Sequence, residues 1–117
     1  MAEEEAVITG LVEFLLARIH EDEADARLAV KGFPTGEWTH DGGVYAGHET
    51  NDVADWFYND TAYHVARWDP ARVLAECDAK RRIIEHCGEW VWPDCRVLHL
   101  LALPYADHPD YRAEWKP

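Results

Sequence analysis

EEEAVITGLVEFLLARIHEDEADARLAVKGFP, residues 3–34, is the stretch on which the fold turns. Val7, Ile8, Leu11, Val12, Leu15, Ile19 and Ala26 recur in it at helical spacings, mostly three and four, and form one apolar stripe. The spacing predicts a long helix over about residues 3–30. Glu3, Glu4 and Glu5 open it, where negative charge complements the helix dipole. Lys31 stands at the far end, and Gly32 followed by Pro34 stops it. Gly10 inside such a helix costs about 1 kcal/mol relative to Ala. Glu13, Glu21, Asp22, Glu23 and Asp25 fall on the outer face.

Beyond this helix the period changes. Trp38 and Val44-Tyr45 flank Asp41-Gly42-Gly43, a turn type that favours tight hairpins. A third extended piece is expected from Val53 to Phe57. Two strands alone are marginal in water, so the ribbon must pack against helices. Asp60 or Thr61 is placed to cap a short helix through Trp68. Asp69-Pro70 then restarts the chain, since Asp is a good N-cap and Pro suits the first helical position. That next helix, to about residue 87, carries Val73, Leu74, Cys77, Ile84 and Cys87 on one face and ends at Gly88. Asp94 is expected to cap a last helix through Leu103, apolar nearly all round and therefore the most buried element. The tail from Tyr105 to Pro117 reads as a strap anchored by Tyr111 and Trp115. The expected fold is one domain over residues 1–117, α+β and mainly α. It comprises a long N-terminal helix, a small antiparallel hairpin or three-stranded meander, a short helix, two further packed helices and an aromatic C-terminal strap.

Composition narrows the function. The chain has 117 residues and a net charge of −12. Residues 1–60 carry 14 acidic against 3 basic side chains, whereas residues 61–117 carry 9 against 8. A pI near 4.8 without a basic stripe argues against direct nucleic-acid binding, which relies on neutralising phosphates. The chain contains no Ser, which removes every serine-nucleophile mechanism. Its apolar runs are too short to cross a bilayer, and its acidic start is unlike a signal peptide. Three cysteines with no export signal read as thiols in a reducing cytoplasm rather than a disulfide frame.

Two stretches of the second half are distinctive: HVARWDPARVLAECDAKRRIIEH, residues 64–86, and LHLLALPYADHPDYRAEWKP, residues 98–117. Together they resemble an actinobacterial and actinophage family of short proteins of unknown function, in which these segments read HIARHDPARVL…EAKR and LLALPYADHPDYREEW. The resemblance implies the same order of elements and a bacterial or phage cytoplasmic setting, and it implies no activity. The chain has Trp68 where the family pattern has His, and His99 where it has Arg.

From these readings the first expectation is a small acidic cytoplasmic accessory protein that acts without catalysis, by binding another protein with a basic surface. Its contact residues would be Glu13, Glu21, Asp22, Asp25, Asp41, Glu49 and Asp52, with exposed rings at Trp38 and Trp56 as anchors. A sharper version has the carboxylates imitate the phosphate array of DNA and inhibit a nucleic-acid-binding protein. A structural-zinc module would use His86, Cys87, Cys95 and His99, two nitrogens and two sulfurs suited to tetrahedral zinc. The plainer reading makes those cysteines core thiols. A small enzyme would use Asp55, Asp60 and His64 with Tyr58, residue types that more often serve as caps and surface groups. The long first helix also admits a homodimer.

Overall fold

A computed structural model describes residues 2–47, 52–54, 58–89 and 96–117. The elements in chain order are α1 (Ala2–Val30), β1 (Trp38–His40), β2 (Val44–Ala46), β3 (Asp52–Ala54), α2 (Asn59–Arg67), α3 (Pro70–Glu89) and α4 (Arg96–Ala102). Two short 3-10 turns, Leu103–Tyr105 and Ala113–Trp115, follow. The protein is thus α+β and mainly helical, with a long N-terminal helix. The chain divides into two compact units: residues 1–21 with 78–117, and residues 22–77.

The second unit is built on the sheet, whose strand order is β1-β2-β3, antiparallel throughout. Gly42 takes φ +71° at the tip of the hairpin, a backbone that L side chains rarely adopt. The register pairs Trp38 with Ala46 and His40 with Val44, while a bulge interrupts the β2–β3 ladder at Val44 and Tyr45. The sheet does not stand alone. Ala62 and Ala66, one turn apart on α2, are buried with Val44, and Trp38, Val53 and Val65 pack against them. Small residues on that side of α2 let the helix approach β1 and β2 closely.

Asp69 joins the sheet to α3. One carboxylate oxygen accepts the Arg72 amide at 2.8 Å, the N-cap bond expected of Asp before Pro70. The other accepts the Trp38 amide at 3.0 Å and so fixes the start of β1. Two local expectations differ from the structure. α2 begins after Tyr58, with no side-chain cap, so neither Asp60 nor Thr61 is its N-cap. α3 runs past Gly88 to Glu89.

The first unit has an aromatic centre. Phe14 on α1 is 6% exposed. Its ring lies 5.0 Å from Trp115, 5.5 Å from His108, 6.0 Å from Tyr111 and 6.4 Å from Tyr105, centroid to centroid. These separations suit edge-to-face and tilted aromatic pairs. Leu11, Leu15 and Ile19 are buried on the same stripe. Arg18 is buried among them at 8% exposure, its guanidinium 5.0 Å from the Phe14 ring. Glu21 and His108 bond it, and Asp110 lies 3.9 Å away. The tail is therefore the clamp that its rings suggested. α4 is less buried than its composition suggested: Leu98 and Ala102 are covered, but Val97 and Leu100 are exposed.

Candidate functional site

α2 is short enough that its register decides what it shows. Ala62 and Ala66 face the sheet core. The neighbouring four-residue pairs, Tyr63 with Arg67 and His64 with Trp68, are all exposed. Tyr63 is 49% exposed and Trp68 44%.

These rings are held rather than loose. The Arg67 guanidinium donates to the Tyr63 hydroxyl at 2.9 Å and lies 6.0 Å from its ring. His40, on β1, meets Tyr63 edge-on at 5.0 Å. The Arg72 guanidinium lies over the Trp68 ring at 4.2 Å, and its Nε donates to Glu76 at 3.2 Å. Stacking on a half-exposed indole is worth about 0.5–1 kcal/mol. The larger effect is to restrict ring and guanidinium before any partner arrives. Pre-ordering of this kind reduces the ordering cost of association, roughly 0.5–1.5 kcal/mol per immobilised side chain. Trp, Tyr and Arg are also the residues most enriched among interface hot spots.

The carboxylates expected to form the contact surface divide between the units. Glu13 and Glu21 belong to the first, and Asp22, Asp25, Asp41 and Asp52 to the second. Glu13, Asp25, Asp41 and Asp52 are exposed, whereas Asp22 is half-buried. Glu21 is exposed and bonded to Arg18 at 2.9 Å. The acid skew along the chain does not become a skew between units. Residues 22–77 hold 11 acidic against 4 basic side chains, and residues 1–21 with 78–117 hold 12 against 7. Two cations of α3 are taken up locally, Arg72 by Glu76 and Arg82 by Asp78. Glu13 also lines a groove of about 260 Å³ in the first unit, with Phe14, Arg18, Asp110, Arg112 and Trp115. Two guanidiniums and two carboxylates on an aromatic floor give that groove mixed charge.

Of the expected anchor rings, Trp38 is half-buried against the sheet core and Phe33, and Trp56 lies outside the described residues, as does Glu49. The exposed tryptophan among the described residues is Trp68. Nothing in its spacing marked it, because a ring after Arg67 reads equally well as core.

The zinc candidates are not brought together among the described residues. Cys95 lies outside them. Cys87 is disulfide-bonded, so its sulfur is not a thiolate ligand, and the reading of three reduced thiols does not hold. Cys77 is buried and not disulfide-bonded. His99 Nδ1 bonds the Trp115 carbonyl at 2.9 Å, which ties the tail to α4, and His86 is exposed. Among the described residues no group of three or more His, Cys, Asp and Glu side chains could hold a metal ion. The acid–base candidates Tyr58, Asp60 and His64 are exposed, and Asp55 lies outside the described residues.

Comparison with known proteins gives the chain its place. A family of unknown function (DUF6221) matches residues 9–117, and the chain belongs to it. No curated protein and no solved structure matches it. No described helix is long and apolar enough to cross a membrane.

Proposed function

We propose that the protein is a non-catalytic accessory protein that binds another protein through the outer side of α2. The observation that carries this reading is the Arg72 guanidinium held 4.2 Å over a Trp68 ring that is 44% exposed. Tyr63 and Arg67 form a second exposed pair of ring and guanidinium on α2. The exposed carboxylates of the second unit, Asp25, Asp41 and Asp52, supply a negative field that speeds the approach of a partner with basic groups. The reading as a DNA imitation has less support, because the net charge divides as −7 and −5 between the two units rather than collecting on one.

The test is comparative capture from an actinobacterial lysate, the setting that the family resemblance implies, followed by titration of the purified partner. Trp68→Ala is expected to weaken binding at least tenfold, and Trp68→Ala with Tyr63→Ala to abolish it, as hot-spot truncations of about 2 kcal/mol or more do. Asp41→Asn with Asp52→Asn is expected to slow association and leave dissociation unchanged. Equal binding by the wild type and the Trp68→Ala/Tyr63→Ala protein would remove α2 as the docking surface.

A further inference from the structure

α1 carries a glycine where a better helix former would fit. An added Cβ at Gly10 would meet Arg112 Nη1 and Trp115 Cζ2 at 3.7 Å, an ordinary contact. Glycine within a helix is unfavourable beside alanine, so packing gives no reason for it. Gly10 does, however, line the groove of about 260 Å³ in the first unit. A methyl group there would narrow the groove next to both Arg112 and Trp115. The missing side chain therefore serves the groove rather than the helix.

The groove walls hold polar groups that their own surroundings do not satisfy. Arg18 Nε and Trp115 Nε1 are buried N–H donors with no hydrogen-bond partner among the described residues. A buried donor left unpaired is unfavourable, and at the wall of a cleft it calls for an acceptor from outside the chain. Glu13 is exposed and forms no hydrogen bond or ion pair among the described residues. The ion pair of Arg112 with Glu114 is long, 3.6 Å, and leaves the guanidinium side chain 62% exposed. Arg112 Nη1 lies beside Gly10, and Glu13 follows one turn later, after about 4.5 Å of helix rise. A cation and an anion thus stand next to each other on the groove, over the rings of Phe14 and Trp115. Asp110, 3.9 Å from Arg18 Nη1, adds a second carboxylate farther along.

We infer that this groove binds the zwitterion of a free α-amino acid. Arg112 holds the carboxylate, Glu13 receives the ammonium group, and the side chain lies along the Phe14 ring. A simple anion would meet two carboxylates here, and a simple cation would meet two guanidiniums. A molecule with both charges on one carbon pairs with each and avoids both repulsions. A small turn of the indole brings Trp115 Nε1 to the bound carboxylate, so a donor unpaired in the free protein gains its acceptor. The volume is just below the roughly 300–1,000 Å³ of pockets for drug-sized ligands, which suits a molecule of amino-acid size.

Saturation-transfer NMR of the full chain with each of the twenty standard L-amino acids, then calorimetric titration of those that respond, tests this. At least one is expected to bind with a Kd of roughly 10 μM to 1 mM. Its des-amino acid and its decarboxylated amine, which keep one charge each, are expected to bind about tenfold more weakly or worse. Arg112→Gln and Glu13→Gln, both at exposed positions, are expected to do the same. Gly10→Ala is expected to weaken binding about fivefold or more while melting no lower than wild type, so its loss cannot come from unfolding. The Trp115 indole N–H resonance, assigned by its absence in Trp115→Phe, is expected to move downfield on binding. No binding by any of the twenty up to about 10 mM overturns the proposal. So does equal binding of a one-charge analogue, an unmoved Trp115 signal, or wild-type affinity in both Gly10→Ala and Arg112→Gln.

Discussion

Arg18 and His108, 90 residues apart in the chain, meet with the guanidinium Nη1 3.0 Å from the imidazole Nδ1 and 2.8 Å from Nε2. Arginine only donates, so the ring accepts through an unprotonated nitrogen. The same guanidinium reaches Glu21 and lies against Phe14. Arg18→Ala removes all three contacts and is expected to lower stability by about 2–3 kcal/mol. His108→Ala is expected to cost about 1–2 kcal/mol. Urea unfolding of both single variants and the double gives the coupling, expected near 1 kcal/mol. A coupling indistinguishable from zero would mean that the two side chains only fill space.

Trp115 is 2% exposed and touches Phe14 and Tyr111. Trp115→Ala is expected to destabilise by about 3–5 kcal/mol, and Trp115→Phe by appreciably less. Thermal unfolding compares them. Near-wild-type stability in the alanine variant would show that the tail clamps nothing.

Asp69 serves two elements with one carboxylate. Asp69→Ala should lose the α3 cap and the anchor of β1 together, about 1.5–3 kcal/mol. Asp69→Asn keeps one acceptor oxygen and should recover part of that. Hydrogen exchange at the Trp38 amide is the specific readout: the alanine variant should exchange there faster than wild type even when both are compared at equal global stability.

Two glycines should respond in opposite directions. At Gly10 an added Cβ would lie 3.7 Å from Arg112 and Trp115, ordinary contact, so Gly10→Ala should stabilise α1 by about 0.5–1 kcal/mol. At Gly47, φ is +77° and an added Cβ would lie 2.9 Å from the Thr35 methyl, so Gly47→Ala should destabilise by about 1–3 kcal/mol. Paired melting curves decide it. Equal shifts of the same sign would contradict the packing described at both positions.

Much of this was readable from local rules. The three- and four-residue spacing marked α1, Asp41-Gly42-Gly43 marked the hairpin, and Asp69-Pro70 marked the start of α3, because each signal acts within a turn or two of chain. The misses share a different cause. Arg18 shares the apolar stripe, but its charge hides that until the tail is seen to cover it. Tyr58 precedes α2 without a capping side chain, so no residue type announces the boundary. Leu98 and Leu100 look alike in sequence; only tertiary packing decides that one is covered and the other open. Trp68 was unremarkable for the same reason, since an aromatic residue records no direction until the alanines of α2 are placed against the sheet.

The cysteines give a chemical check. In denaturant without reductant, an alkylating reagent should modify Cys77 and leave Cys87 untouched, whereas prior reduction should expose both. Reduction should also lower the melting temperature, in keeping with a contribution of about 2 kcal/mol from the cross-link. Peptide mapping that finds Cys87 alkylated without reductant would contradict the bond.

Phe14 emerges from the ribosome early, and the rings that enclose it are encoded some ninety residues later, as far along as His108 is from Arg18. At ordinary translation speed this is a delay of roughly 5–20 s. Throughout it the nascent chain carries Leu11, Phe14 and Leu15 without their cover, a hydrophobic segment of the kind that chaperones hold. Residues 22–77 are contiguous and suffer no such wait. Synthesis therefore imposes an order of assembly: the sheet-bearing unit can mature while the chain is still growing, and the aromatic unit only after its last rings have been made.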